Sequence, residues 1–595
     1  MTPDHPARLE RWLCHPYFFR AVLLLTAVLA APSIAVGFYA DDYHFFAYLS
    51  KKYPGSPPWY DLYRFLTGDA RTTQALIEMS GVPWWTDPEI RIHLVRPLAS
   101  ALLALQRALF GDAPLPYHLV SIALYLALVA AAGKLFQRAL PGAAGALALL
   151  IFAISAAHAN PVGWISCQHL LLGALSVVLG LLAWLRYREE GWRPGRYLGP
   201  LGLGVGLLSG EVALGGAGFW VAYQIAGPAP RGSAGGWRAR LVSALPVLGL
   251  LAYFAVYKAV GGGAARTAAY IEPLSNPLRF AAAAAERLPV LLGHALATIP
   301  SELGTALPSG PFIAAGLAAV AGAALLYRAC LPSIPEAERV ALRWLVPGAV
   351  LALLVTAGGF PGSRLLLLPN VGFAPLLAVL VVHGLRRGPA RGVASHARRA
   401  GAGLLGFVHV ALAPLLFLVG VRMSAGIARS VEEIARTAEI DAPPRKRVFI
   451  AASSDPMAST YPAAILVNTS PEALSCWSVL SMTKATHRLT RTGASSLALA
   501  PVERTMLTGM FETLYRSPEA PLRVGDAIRQ CDATIRVAAV EGGRPTRIEV
   551  ELGTPLEDPE LVLLTWRDGR LRRVAPPAVG DVLELPWSIG PTGFF

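Results

Sequence analysis

Runs without a single charged residue, separated by short basic or polar segments, occupy the first 425 residues of this chain. A run of about 20 apolar residues is long enough for a helix to cross a lipid bilayer. The first covers residues 21–37 and ends just before two adjacent carboxylates, Asp41 and Asp42; the second extends from 117 to 133. Residues 139–185 contain no Asp, Glu, Lys or Arg, which leaves room for two crossings with a tip near His158-Ala159-Asn160-Pro161. Residues 197–230 are broken by one charge, Glu211, and read as a hairpin with the carboxylate at its turn. Runs at 241–257, 311–327, 344–359, 365–385 and 402–421 bring the expected total to about eleven spans.

Between these runs the chain changes character. Residues 43–95 are rich in Trp, Tyr, Pro and charge, and read as a loop on the membrane surface. Residues 96–110, interrupted by Arg107, are amphipathic and read as a helix in the interface. The Gly- and Pro-containing segment 261–300 reads as a second outer loop with a surface helix. From about residue 440 period-two alternation takes over, as in Arg547-Ile548-Glu549-Val550-Glu551, and predicts strands with one wet face. The expected strands are 448–452, 463–467, 534–540, 546–552, 561–566 and 582–585. The fold class is therefore an α-helical polytopic membrane protein with a C-terminal β-rich or α/β soluble domain. Its expected parts are a transmembrane domain over 1–425, with outer loops at 38–116 and 259–310, and a domain over 440–595.

Composition agrees. Of 595 residues 54% are hydrophobic and 15% charged, with a mean hydropathy of +0.49, which excludes a soluble globular protein. A net charge of +14 would otherwise suggest nucleic acid, but the arginines sit in short segments between apolar runs and read as cytoplasmic anchors. Arg8, Arg11 and Arg20 place the N-terminus in the cytoplasm, with an uncleaved first helix. Arg231, Arg238 and Arg240, then Arg386, Arg387, Arg391, Arg398 and Arg399, fall on the same side, and the C-terminal domain is expected outside the cytoplasm. The five cysteines have no metal-ligand spacing; Cys476 and Cys531 fall in the polar part and can pair if it is exported.

The few ionisable groups outside the basic loops are Asp41, Asp42, His158, Glu211 and Arg364, and the span count puts all five on the outer face. Two readings stand for the acid pair. Charges commonly flank spans as stop signals, whereas adjacent acids at a lipid boundary also suit proton transfer. Arg364 is likewise either a residue snorkelling at a helix end or a phosphate contact. Glu211 costs roughly a few kcal/mol to insert among apolar residues, which marks a site. Ser453-Ser454-Asp455, after the first expected strand, reads as a catalytic turn or an ordinary polar loop. Acids and an arginine on one membrane face suit transfer of a sugar from a polyprenyl phosphate. A carboxylate takes the proton of the attacking hydroxyl, and a guanidinium offsets charge on the departing lipid phosphate.

Four pieces in order carry a resemblance: Ala40-Asp41-Asp42-Tyr43; Arg96-Pro97-Leu98 with Phe110-Gly111 and Tyr117-His118-Leu119; His158 to Leu172 with Trp164-Ile165-Ser166; and Ser363-Arg364-Leu365 to Pro369-Asn370-Val371-Gly372-Phe373. The chain resembles the GT-C superfamily of polytopic glycosyltransferases, particularly the transmembrane O-mannosyltransferase branch, without that branch's tetratricopeptide repeats. The resemblance covers roughly residues 20–385 and implies an inverting transferase with Asp41 or Asp42 as base and Arg364 on the lipid phosphate. It implies Glu211, His158, Arg96, Tyr43 and His44 as substrate-binding residues, with Arg96 and Arg107 as alternative phosphate contacts. Asn160, Gln168, His169 and Gly210 depart from the family pattern and leave the donor contacts at those positions, and the sugar, in question. No cofactor is expected, since nothing in these residues independently calls for a divalent metal. The implied partners are a polyprenyl-phosphate-linked sugar and a glycan, lipid or protein acceptor, with no nucleic acid. The implied location is a bacterial-type inner membrane. A transporter or flippase of a lipid-linked saccharide is the alternative that the same acids and arginine would serve.

Overall fold

The computed structural model describes residues 10–53, 55–228, 237–360, 362–386, 392–440 and 445–593, with the backbone alone over 237–247 and 305–306. Arg8, Arg231, Arg387 and Arg391, on which the expected orientation partly rests, lie outside the described residues, as do the side chains of Arg238 and Arg240. The chain divides into two compact units, the first formed by Met1–Gly37, Val95–Val260 and Pro273–Ala425.

This first unit is helical. Among the described residues seven helices are long and apolar enough to cross a membrane: Phe18–Val36, Pro114–Ala139, Ile165–Glu190, Pro277–Ala297, Ser309–Ser333, Glu336–Thr356 and Val393–Thr437, the last running on into the second unit. Ala143–Ala153 and Ala156–Gly163 form a further pair bent by 44°. The bend falls at the expected tip, where Ser155 leaves the helix with extended backbone before His158. The span-by-span expectation is corrected in three places. Pro277–Ala297, assigned to an outer loop, has the length and hydropathy of a span despite Arg279, Glu286 and Arg287. Conversely, 365–385 and the hairpin 197–230 yield only shorter helices, Asn370–Leu385, Gly195–Ser209 and Leu214–Ala226. A 3-10 turn at Ser363–Leu366 takes up the start of the first stretch, and another at Glu211–Ala213 the middle of the second.

Small residues let these helices approach closely, which replaces the hydrophobic drive that lipid does not supply. Gln168–Glu190 crosses Gly195–Ser209 at Gly180 and Gly202; a Cβ on Gly202 would lie 2.6 Å from the Gly180 Cα and 2.7 Å from the Ser176 carbonyl. Leu214–Ala226 meets Glu336–Thr356 in the same way, Gly348 lying against Phe219.

The second unit comprises Phe38–Leu94, Gly261–Glu272 and Gly426–Phe595. Strands β1 (Arg64–Thr67), β2 (Arg91–His93) and β3 (Gly263–Ala265) form an antiparallel sheet in that order. Strands β4 (Lys446–Ala452), β5 (Leu474–Val479), β6 (His487–Arg491), β7 (Ser496–Pro501) and β8 (Ala527–Gln530) follow. They are succeeded by β9 (Ala533–Glu541), β10 (Arg544–Leu552), β11 (Leu561–Arg567), β12 (Arg570–Arg573) and β13 (Val582–Leu585). One sheet, in the order β13-β6-β7-β10-β9-β8, is antiparallel throughout; the other, β12-β11-β4-β5, is parallel across its last three members.

The alternation in β10 has the expected consequence. Ile548 and Val550 are buried at 0% and 1% exposure while Arg547 and Glu551 are exposed. Gly542 and Gly543, at φ 55° and 77°, make the two-residue turn from β9 to β10, where any other residue would be strained at both positions. One expected strand is corrected: 463–467 lies in the helix Tyr461–Thr469. A short apolar run has no period of its own, and Pro462 in its first turn starts a helix rather than a ladder.

Residues 43–95, read as a surface loop, are folded into this unit with two helices and two strands. Trp84 and Trp85 are fully buried in its main core, donating from Nε1 to the carbonyls of Leu480 (3.0 Å) and Glu512 (3.1 Å). That accounts for the aromatic content of a segment too polar to enter lipid. Cys476 and Cys531 form a disulfide across a sequence separation of 55 residues. A loop of that size contributes about 4 kcal/mol by chain entropy. Cys476→Ser is therefore expected to lower the urea midpoint of this unit, followed by tryptophan fluorescence, and an unchanged midpoint would show that the bridge adds no stability.

Candidate active site

The acid pair lies in the second unit, in the first turn of the helix Asp41–Leu49. The helix start is set by a tight turn in which Ala40, though not glycine, takes φ 49°, a strained backbone of the kind found where a side chain must be aimed. Asp42 holds that turn: it is buried at 1% exposure and its Oδ2 accepts from the Tyr39 amide at 2.9 Å. Asp41 is half-buried, and its Oδ1 accepts from the Tyr461 hydroxyl at 2.8 Å. Among the described residues no donor reaches Asp41 Oδ2. Two adjacent acids thus have different environments, one committed to backbone and one with a free oxygen at a helix N-terminus, where the helix dipole favours the anion.

Rings surround this helix. His44 stacks edge-on against Tyr461 at 5.7 Å and lies 6.4 Å from Tyr53, which is 5.9 Å from Tyr48. Burial, with the Asp41 charge adding to it, pushes the Tyr461 phenol well above its ordinary value. Burial alone takes Tyr53 up to about 12. The His44 ring is held below its usual value by burial, which outweighs the opposing pull of Asp41. These phenols stay protonated at neutral pH and act only as donors to a carboxylate. Tyr43 is buried, with its hydroxyl donating to Glu432 Oε1 at 2.8 Å, so it anchors the helix inside the unit.

In the helical unit, Arg96 directly precedes the helix Pro97–Phe110 and donates from Nε to Glu211 Oε2 at 2.8 Å. Glu211, isolated in sequence, is therefore paired; its Oε1 is buried without a hydrogen-bond partner among the described residues. Two departures from the family pattern meet here. A Cβ on Gly210 would lie 3.1 Å from His169 Cδ2 and 3.8 Å from Arg96 Nε, so the ring of His169 lies against Gly210. Gln168, a third departure, exchanges amide hydrogen bonds with Gln106 at 2.7 and 3.2 Å inside the bundle.

Arg364 opens the turn Ser363–Leu366, donates from Nη2 to the Phe360 carbonyl at 3.1 Å and lies over the Phe360 ring at 5.4 Å. It is half-buried, and no carboxylate lies within ion-pair distance of it among the described residues. Two residues the sequence reading passed over hold the loop that carries it. Arg287 Nη1 donates to the carbonyls of Ala357 (2.9 Å) and Gly359 (3.0 Å), and Glu302 Oε1 accepts from the Ser363 amide at 2.8 Å. Their only sequence signal was charge inside a segment read as a loop.

His158 is fully buried, between the Tyr125 hydroxyl on Nδ1 (3.0 Å) and the Asn370 amide on Nε2 (3.1 Å). Both nitrogens are engaged, and the histidine ties the second half of the bent pair to the helix Asn370–Leu385. His118, in the Tyr-His-Leu landmark, holds the Gly37 carbonyl at 2.9 Å. Ser453-Ser454-Asp455 proves to be a polar loop: Asp455 accepts from the Ala458 amide and the Thr592 hydroxyl, each at 3.0 Å, and Gly590 backbone covers it and Ser454. Among the described residues no three His, Cys, Asp or Glu side chains are grouped to hold a metal ion.

No family model matches the sequence, and no curated protein matches it. Solved structures are similar at low identity. One is the oligosaccharyltransferase AglB of Archaeoglobus fulgidus in complex with an inhibitory peptide and a dolichol-phosphate, 11% identical, with a TM-score of 0.39 over 77% of this chain and 64% of that one. Another is ArnT of Cupriavidus metallidurans bound to undecaprenyl phosphate, 13% identical, with a TM-score of 0.35 over 89% of this chain and 97% of that one. The chain thus spans less than two thirds of the archaeal enzyme's length, and likenesses this weak assign no activity to it.

Proposed function

We propose that this chain is a GT-C-type membrane glycosyltransferase that moves a hexosyl or pentosyl group from a polyprenyl phosphate to an acceptor hydroxyl, with inversion. Asp41 Oδ2 takes the acceptor's proton as its oxygen bonds to the anomeric carbon. The bond from that carbon to the phosphate oxygen breaks, and the electron pair leaves with the polyprenyl phosphate, whose charge Arg364 offsets. The observation that carries this reading is the asymmetry of the acid pair: Asp42 is buried with Oδ2 on a backbone amide, and Asp41 is half-buried with an oxygen that no donor reaches among the described residues. Arg364, with no carboxylate partner among the described residues, and the four ordered sequence landmarks support it. Arg96, held by Glu211, is assigned to the donor's sugar phosphate, whereas His158 and Tyr43 are assigned to holding helices. The disulfide supports an extracytoplasmic second unit, on the outer face of a bacterial-type inner membrane.

Protein reconstituted in vesicles with a labelled polyprenyl-phosphate sugar is expected to release free polyprenyl phosphate as label appears on the acceptor. Label that crosses the bilayer while still lipid-linked would establish a flippase and end the transferase reading.

A further inference from the structure

Within the second unit, residues of the C-terminal stretch 426–595 hold the acid helix. The helix Tyr461–Thr469 grips Asp41–Leu49 and the residues after it at three points: the Tyr461 hydroxyl on Asp41 Oδ1 at 2.8 Å, Asn468 Nδ2 on the Tyr43 carbonyl at 2.8 Å, and its last carbonyls, Val467 and Asn468, on Lys52 Nζ at 2.9 Å each. Glu432, at the start of the same C-terminal stretch, takes the Tyr43 hydroxyl. These partners are separated by about 390 to 425 residues in sequence, so only the folded unit brings them together.

The Tyr461 contact differs from the other two. Asn468 binds a carbonyl of the acid helix and Lys52 binds carbonyls of Tyr461–Thr469, so both fix backbone, whereas Tyr461 binds a carboxylate oxygen and fixes a side-chain torsion. A carboxylate held by one oxygen no longer rotates about its last bond, and its second oxygen points in one direction. Pro462 stiffens the first turn that carries the phenol, and the His44 ring packs against it.

We propose that Tyr461 is the positioning residue of the catalytic base: it pins Asp41 Oδ1 so that Oδ2 is aimed at the acceptor hydroxyl, which makes the helix Tyr461–Thr469 part of the active centre. The proposal rests on the reading of Asp41 as the base. A phenol O–H donates to the charged form of a carboxylate, and Tyr461→Phe removes that interaction. Burial raises the phenol's own pKa, so Tyr461 stays a donor across the working range and does not compete for the substrate proton.

The test uses full-length protein in vesicles. Tyr461→Phe keeps the ring and removes the donor. It is expected to lower kcat by about 10- to 100-fold, the size of effect seen when a group that orients a reacting residue is removed. KM for the lipid donor should change little, and the acid limb of the pH–rate profile should move to higher pH. Wild-type kcat and an unmoved acid limb in Tyr461→Phe, alongside an inert Asp41→Asn, would overturn the positioning role and leave the base assignment standing. An active Asp41→Asn would instead remove the base assignment on which the proposal depends. Should Tyr461→Phe not fold, 3-fluorotyrosine at position 461 keeps the hydroxyl and strengthens it as a donor. That variant is expected to move the acid limb to lower pH, and an unmoved limb overturns the proposal.

Discussion

Asp41→Asn is expected to lower kcat/KM for sugar transfer by about 100- to 10,000-fold, the usual range for loss of a positioned general base. The melting temperature should hold, because the amide keeps an oxygen for the Tyr461 hydroxyl. Asp42→Ala should behave in the opposite way. Its carboxylate accepts from the Tyr39 amide in a site at 1% exposure, and removal strands a buried donor at a cost of about 1–3 kcal/mol. Activity should then track the folded fraction, with kcat per folded molecule nearly unchanged. Transfer assays in vesicles, paired with thermal melts, separate the two acids. Equal loss of kcat per folded molecule in both variants would show that the backbone hydrogen bond does not remove Asp42 from the chemistry.

Arg364→Ala is the second variant with a large expected effect. A phosphate that loses a charge-assisted partner gives up about 3 kcal/mol, or about 100-fold in kcat/KM. Because Arg364 has no carboxylate partner among the described residues, its removal leaves no stranded acid, and stability should be little affected. Arg364→Lys should recover the charge but only part of the rate, since an ammonium cannot bind a phosphate bidentately. The readout is rate against donor concentration, with competition by free polyprenyl phosphate. A variant whose affinity for free polyprenyl phosphate matches wild type would end the assignment. Arg96→Ala offers the contrast: it strips Glu211 of its partner at 2.8 Å and should show first as lost stability.

These expectations show where sequence reading succeeds and where it stops. Asp41 and Asp42 stand out in sequence because two charges follow an uncharged run, but nothing local distinguishes them, and both were candidates for the base. The distinction arises from a backbone amide three residues away and a phenol 420 residues away. Glu211 stood out by isolation in an apolar stretch, yet its partner Arg96 lies 115 residues earlier. His158 was legible as unusual for the opposite reason. A histidine at the tip of an uncharged stretch suggests chemistry, and burial with both nitrogens occupied gives it a holding role instead. Gly210 and His169 looked like separate losses from a motif, and the fold brings them into contact, the ring lying 3.1 Å from where a Cβ on Gly210 would be.

The sequence by itself determined the class of the protein, the position of most long helices and the strands it placed at 448–452, 534–540, 546–552, 561–566 and 582–585. Lipid and a half-wet sheet impose their demand residue by residue, and the demand is written as uninterrupted apolar runs or strict alternation. Only the tertiary structure decided that 463–467 is helical, that the aromatic segment 43–95 completes a β-rich core, and that Tyr461 meets Asp41. Those outcomes depend on which distant groups share a hydrogen bond or exclude water together. A hydrogen bond between residues hundreds of positions apart leaves no periodic trace in the chain that forms it.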